Sequence, residues 1–319
     1  MKLKVFITRQ IPEAASDLLK DKKLDVKVYS GEKQIPYQLL KKEIRDVDGV
    51  ISLLTDKFDI EMINAMKHCK IIANYAVGYN NINVGYANQK GIIVTNTPDV
   101  LTDSTADLTM TLALACSRRL TKGEEIMRQR KFKGWQPKLL LGIELKGKNF
   151  GIIGAGRIGT AVARRAAGFG VKLLYYDRKV NSVIESFGGK KVSLKFLLKN
   201  SDIISVHLPL SENTFHLLNR EKLQLIKKNA VFINTARGEI VDEKELIKLL
   251  RLNRIFSAGL DVYEDEPDVN PELIKLKNVV LLPHLGSATE DARNQMAKLA
   301  AKNVISVLGG KGAITPVCI

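Results

Sequence analysis

The chain has 319 residues, 45% of them apolar, enough for two domains with cores of their own. Its 50 Lys+Arg against 34 Asp+Glu leave a net charge of +16. The lysines are spread along the whole chain with no aromatic platform between them, so a solvated basic surface suited to anionic small molecules is expected rather than a specific nucleic-acid interface. No apolar run is long enough to span a bilayer, and Arg9 and Glu13 interrupt the first apolar stretch where a signal peptide would continue. Three scattered cysteines, Cys69, Cys116 and Cys318, lack CxxC spacing and argue against both a disulfide framework and a metal site. A cytoplasmic protein is expected.

Short apolar runs alternate with amphipathic stretches along the chain. LKVFIT is the first buried-strand candidate, and a helix is expected over Pro12–Lys20, with Pro12 in its first turn. DVKVYS, GVISLL, IIANYA and GIIVTN complete a first set of strands. A long helical stretch, Thr102–Arg130, then separates these from a second set: FGIIGAG, KLLYYD, DIISVHL, AVFINTA, IFSAGLDV and VVLLPH. Helices are expected over Arg157–Phe169, over Asp242–Leu250 with Asp242 as N-cap, and over Ser287–Leu308. Buried strands flanked by polar helices indicate parallel sheets covered on both faces, an α/β fold. The final helix is expected to cross back to the first set.

Residues 150–160 read FGIIGAGRIGT, placing Gly154, Gly156 and Gly159 in a G-x-G-x-x-G turn between a strand and a helix. In that context the first glycine permits the tight turn, the second lets backbone approach a pyrophosphate, and the third lets helix and strand pack closely. The helix N-terminus offers unpaired N–H groups and partial positive charge to the phosphates. The next strand, KLLYYD, ends at Asp177, where a carboxylate would accept from an adenosine ribose diol and repel a 2′-phosphate. NAD(H) is therefore favoured, while Arg178 and Lys179 directly after it leave NADP(H) open.

A dinucleotide implies hydride transfer, and reduction of a 2-oxo acid needs a cation for the carboxylate and carbonyl and an acid for the developing alkoxide. AVFINTARGEIVD places Arg237 just after a strand, where a guanidinium fork matches a carboxylate. SAGLDVYEDEP leads from another strand into Glu264, Asp265 and Glu266, any of which could serve as a histidine's carboxylate partner. VVLLPHLGSAT ends a third strand at His284.

Four segments carry a family resemblance: YAVGYNNINVGYANQKGIIVTNTP, LKGKNFGIIGAGRIGTAVARRAAGFG, HLPLSENTFHLLNREKLQLIKKNAVFINTARGEIVDEKEL and GLDVYEDEPDVNPELIKLKNVVLLPHLGSAT. With VFITRQIPEAA and ISLLTDK they cover nearly the whole chain, which resembles the D-isomer-specific 2-hydroxyacid dehydrogenases. The resemblance implies two Rossmann-like or flavodoxin-like, doubly wound parallel-sheet domains with an interdomain active-site cleft that closes on substrate. A substrate-binding domain would comprise residues 1–98 and 285–319, and an NAD(P)-binding domain residues 99–284. It implies that Arg237 orients the substrate, that His284 is the acid–base, and that Glu266 pairs with the other ring nitrogen of His284. It places Val77 and Gly78 N–H groups on the substrate carboxylate and Leu53 in the substrate cleft. Arg157 and Ile158 would cover the pyrophosphate, and Thr105, Pro209, Thr214, Thr235, Ala236, Asp261 and Gly286 would line the NAD site together with Arg237 and His284. Asn80 and Asn83 replace the aspartates of many relatives, and Asp107 a commoner glutamate. His207 would shape the cofactor site from a strand end, while His216 and His68 would be structural.

The length leaves no room for the C-terminal regulatory domain of many phosphoglycerate dehydrogenases. ISLLTDKFD and KGWQPKLLLGIELKGKNFGIIG look most like the glyoxylate/hydroxypyruvate reductase branch, in which a tryptophan matched by Trp135 reaches a neighbouring subunit. The resemblance thus implies a homodimer through the 102–130 region and a small 2-oxo acid substrate. The alternatives are D-3-phosphoglycerate or D-lactate dehydrogenase activity, or a non-enzymatic, dinucleotide-sensing protein of corepressor type. No metal site and no membrane association are expected.

Overall fold

Apolar runs of a few residues rich in Val, Ile and Phe are too short to bury a helix face, and in the computed structural model they form parallel strands in two sheets. The structure describes residues 2–317, so Cys318 lies outside the described residues. The chain divides into two units, Met1–Leu101 with Ala288–Ile319, and Thr102–Ser287.

In the first unit, β1 (Lys4–Ile7), β2 (Asp25–Val28), β3 (Gly49–Ser52), β4 (Ile71–Asn74) and β5 (Ile93–Thr95) form a five-stranded sheet in the order β2-β1-β3-β4-β5. This is the flavodoxin-like order, in which the chain reverses direction across the sheet between β1 and β3. The helix Glu290–Leu308 packs on this sheet against β3 and β4 and on the helix Ala14–Asp21. Its N-cap is Thr289, whose hydroxyl accepts from Ala292 N, so the helix begins slightly later than the apolar periodicity suggests.

In the second unit, β6 (Asn149–Ile153), β7 (Lys172–Tyr176), β8 (Lys190–Lys191), β9 (Ile203–Val206), β10 (Val231–Asn234), β11 (Ser257–Leu260) and β12 (Val279–Leu281) form one sheet. Its order is β12-β11-β10-β9-β6-β7-β8, all parallel. Alternate side chains feed two cores: Phe150, Ile152, Ile203, Val231 and Ile233 on one face, and Ile153, Ile204, Val206 and Phe232 on the other. The direction of winding reverses between β6 and β9, so their carboxyl ends flank the crevice where such sheets take ligands. The two-residue β8 carries no apolar pattern and was not expected from the sequence.

The stretch Thr102–Arg130 is not one helix. It divides into Thr102–Ser117 and Leu120–Arg128, with Arg119 between them at φ +52°. The first helix ends because the Ser117 carbonyl is taken by Ile143 N (2.8 Å) instead of the next turn. Arg119 is held in its left-handed conformation by its side chain. The guanidinium lies 4.5 Å from the Phe256 ring centroid, and Nε donates to Leu141 O (3.1 Å). The helix after Pro12 begins at Ala14, with Pro12 O accepting from Ala15 N in the preceding turn. Asp242 caps its helix as expected, accepting from Glu245 N at 3.0 Å.

Candidate active site

The glycine turn follows β6 directly. Gly154 has φ +98°, and an added Cβ would come within 2.8 Å of the His207 carbonyl group at the end of β9. At Gly159 an added Cβ would lie 2.0 Å from the Gly154 carbonyl oxygen, so the helix Arg157–Ala167 can sit against the turn only with glycine there. Gly156, by contrast, faces open space, and Arg157 and Ile158 open the helix beside it. A tight turn, an unobstructed middle glycine and a helix N-terminus together fit a dinucleotide pyrophosphate. Asp177 lies at the end of β7, where Oδ2 accepts from Ala155 N at 2.7 Å and Oδ1 from Lys179 N at 3.2 Å. The carboxylate therefore braces the turn, and its remaining lone pairs can accept from a diol.

After β9, burial pushes His207 down to about 3, so the imidazole is neutral, and its Nε2 lies 3.0 Å from Ser205 Oγ. The loop beyond is closed by Thr214, whose hydroxyl donates to Pro209 O (2.6 Å) and accepts from Ser211 N (2.8 Å). After β10, Asn234 folds the turn that carries Thr235, Ala236 and Arg237. Its amide accepts from Ala236 N at 3.0 Å and donates to Arg237 O at 2.8 Å. Thr235 is buried, with its hydroxyl 2.8 Å from that of Thr109. Arg237 donates from Nη1 to Ala236 O at 2.7 Å. Burial pulls its guanidinium below the usual range, opposed by the charges of Glu266 and Glu239, and it remains a cation at neutral pH.

Beyond Asp261 the loop after β11 carries the three candidate acids Glu264, Asp265 and Glu266, and geometry gives two of them different histidines. Glu264 Oε1 lies 2.9 Å from His216 Nε2, and Glu266 Oε2 lies 2.8 Å from His284 Nδ1. The second Glu266 oxygen accepts from Tyr263 N at 3.0 Å, which fixes the carboxylate in the plane of the loop. Burial pushes Glu266 upward, but His284, the Tyr263 N–H and Arg237 together outweigh it and hold the carboxylate below its usual range. His284 stands just after β12 at φ +55°. With Nδ1 engaged, His284 Nε2 meets no protein partner among the described residues. The turn behind it is clamped by the buried Asp261, which accepts from Leu285 N (2.6 Å) and Gly286 N (2.8 Å). The Gly286 carbonyl accepts from Ser104 Oγ (3.1 Å) and Thr105 Oγ1 (3.0 Å). Asp261, Thr105 and Gly286 thus form one cluster that holds the His284 backbone.

Within the other unit, Leu53 follows β3 and donates its N–H to Asp56 Oδ2 at 2.8 Å. Val77 and Gly78 lie in the loop after β4. Their carbonyls accept from Asn96 Nδ2 and Asn74 Nδ2, each at 2.8 Å.

Several site residues were not singled out in the sequence. Asn234 and Asn74 are each the last residue of an apolar strand, and a buried amide closing such a run is the signal that could have found them. Gly238 gives no such signal. An added Cβ there would overlap the Tyr263 carbonyl oxygen at 2.0 Å, so the turn after Arg237 packs directly on the loop that carries Glu266. Tyr263 donates its hydroxyl to Leu282 O at 2.8 Å and joins that loop to the strand before His284. No group of three or more His, Cys, Asp or Glu suited to a metal occurs among the described residues. No helix of the described residues is long and apolar enough to cross a membrane.

Known proteins are similar to this chain over nearly its whole length. The family pattern described as D-isomer specific 2-hydroxyacid dehydrogenase, NAD binding domain, matches residues 110–286. A glyoxylate reductase of Thermococcus litoralis is 48% identical over 321 residues, covering 99% of this chain and 96% of its own. A crystal structure of a Thermus thermophilus protein superposes with a TM-score of 0.93 at 40% identity, covering 99% of this chain and 100% of that one. The NADPH-dependent glyoxylate/hydroxypyruvate reductase of Sinorhizobium meliloti, solved with NADP and malonate, gives a TM-score of 0.89 at 33% identity, with 100% and 97% coverage.

Proposed function

The chain belongs to the D-isomer specific 2-hydroxyacid dehydrogenases, NAD(P)-dependent oxidoreductases, and from that membership we propose that it reduces glyoxylate or hydroxypyruvate to the 2-hydroxy acid, of D configuration where the product is chiral. The observation that carries the reading is the His284–Glu266 pair at 2.8 Å, with Nε2 of the same ring meeting no partner among the described residues and the charge of Arg237 acting on the same glutamate.

A bound nicotinamide cofactor supplies the hydride to the carbonyl carbon. The residues of the chain do the rest. Arg237 holds the carboxylate and polarises the carbonyl, concentrating positive charge where the oxygen becomes negative. His284 Nε2 donates a proton to that oxygen, so the carbonyl gains one hydride and one proton and becomes the alcohol. Glu266, kept ionised by its neighbours, fixes the ring through Nδ1. The N–H groups of Val77 and Gly78 receive the substrate carboxylate, and Leu53 contributes apolar surface beside it. Gly154, Gly156, Arg157, Ile158 and Gly159 hold the pyrophosphate, and Asp177 the ribose, which favours NAD(H) without excluding NADP(H). Thr105, Pro209, Thr214, Thr235, Ala236, Asp261 and Gly286 shape the remaining cofactor surface.

A homodimer is part of the same proposal. The helix Thr102–Ser117 is largely buried within its own unit, whereas Leu120, Met127, Phe132, Trp135 and Leu141 are exposed, Trp135 at 83%. That apolar surface is what a second copy would cover.

The test is oxidation of NADH and of NADPH, followed by absorbance, with glyoxylate, hydroxypyruvate, pyruvate and 3-phosphohydroxypyruvate. The highest kcat/KM is expected with glyoxylate or hydroxypyruvate. A clear preference for pyruvate or the phosphorylated acid would reassign the substrate, and no oxidation with any of the four would reject the enzymatic reading.

A further inference from the structure

The loop after β4 is held in an unusual way. Three successive carbonyls, those of Ala76, Val77 and Gly78, are each tied to the body of their own unit. Ala76 O accepts from Thr97 N at 2.9 Å, Val77 O from Asn96 Nδ2 at 2.8 Å, and Gly78 O from Asn74 Nδ2 at 2.8 Å. In a trans peptide the N–H of the following residue points opposite to the carbonyl. Tying these three carbonyls therefore turns the N–H groups of Val77, Gly78 and Tyr79 away from the groups that hold them. None of the three N–H groups donates to a protein acceptor among the described residues. These successive donors, part-exposed at Val77 and Gly78 and exposed at Tyr79, are open to an anion.

The amides that do the tying are themselves fixed. Asn74 is fully buried and accepts from Ser52 Oγ at 3.1 Å. Asn81 donates to Leu53 O (3.1 Å) and Asp56 O (2.9 Å), and its Oδ1 lies 3.4 Å from Asn74 Nδ2. The loops after β3 and β4 are thus joined through side-chain amides. Asn96 is held through its backbone by Thr315, whose hydroxyl donates to Asn96 O at 2.7 Å.

We propose that Asn96 and Asn74 are positioning residues for substrate: Asn96 aims the Gly78 N–H, and Asn74 aims the Tyr79 N–H as a further donor to the substrate carboxylate. The inference rests on the functional reading above in taking the ligand to be a 2-oxo acid carboxylate. Neither asparagine touches substrate. Their amides act by fixing peptide planes, so they set affinity for the carboxylate and leave the dinucleotide turn, which belongs to the other unit, unaffected.

The test uses the full-length protein with Asn96→Ala, Asn96→Asp and Asn74→Ala. The aspartate keeps the size of the side chain but, ionised, cannot donate to Val77 O. Three quantities are measured: KM and kcat for glyoxylate, the dissociation constant of oxamate from the NADH complex, and the Kd of NADH by fluorescence. Both Asn96 variants should raise KM and the oxamate constant about tenfold, as expected for a lost orienting hydrogen bond, and Asn74→Ala should do the same. In each, kcat should stay within about threefold and the NADH Kd within about twofold. Unchanged oxamate binding in the Asn96 variants would overturn the proposal, as would a parallel rise in NADH Kd, which marks general loosening. Because oxamate is read without turnover, a wild-type protein inactive on glyoxylate would sink the substrate assignment and still leave this measurement decisive.

Discussion

The two units hold their strand-end loops by different means. In Thr102–Ser287 the candidate site is held by charge: Glu266 on His284, Arg237 near Glu266, and Asp261 clamping the turn behind His284. In the other unit the loops after β3 and β4 are held mainly by neutral amides, those of Asn74, Asn81 and Asn96. Among its described residues the one buried carboxylate, Asp56, is pushed upward by burial, against the Thr8 and Leu53 hydrogen bonds and the charge of Arg9. The contrast suits two tasks. A proton donor needs charges that set its ionisation, whereas a carboxylate receptor needs donors whose direction does not change with pH.

The largest effect that could break this contrast is at His284. His284→Ala should lower kcat by about 10²- to 10⁴-fold, the range for a lost general acid, while the NADH Kd changes little. Comparable turnover in that variant would remove the proton donor from the charged unit. Smaller, and confined to the cofactor, is Asp177→Ser. The NADPH/NADH ratio of kcat/KM should rise about tenfold, the size of one lost charged hydrogen bond plus relieved repulsion of a 2′-phosphate. An unmoved ratio would leave Asp177 only its visible task of bracing Ala155 N.

Much of this was legible in the sequence because strand ends in parallel α/β sheets are where ligands bind, and apolar runs show where strands end. The glycine spacing located the turn at Gly154–Gly159, and its close contacts bear out the reasons for the first and third glycines. The chain alone did not choose among Glu264, Asp265 and Glu266, because neighbouring loop residues differ only in where the loop folds. That fold depends on the Tyr263 N–H donating to the Glu266 carboxylate and on the Gly238 turn packed beneath. The pairing of His216 with Glu264 was invisible for the same reason. The break at Arg119 was missed because helical periodicity continues through it, and the helix is stopped by long-range contacts, those of Ile143 N with the Ser117 carbonyl and of Arg119 with Phe256 and Leu141. The asparagines behind Val77 and Gly78 were passed over because amides near turns are common, and their value lies in which carbonyls they reach.

Proton delivery by the His284–Glu266 pair is the central claim. Glu266 lies below the usual carboxylate range, so it is ionised throughout the neutral region and offers His284 Nδ1 a charged acceptor at 2.8 Å. In that role it fixes the ring that presents Nε2 to the substrate oxygen. The deciding measurement is kcat for glyoxylate reduction, with the NADH Kd beside it, in the wild type and Glu266→Gln. The neutral amide should lower kcat about tenfold or more while the NADH Kd stays within about twofold, and an unchanged kcat would contradict the claim.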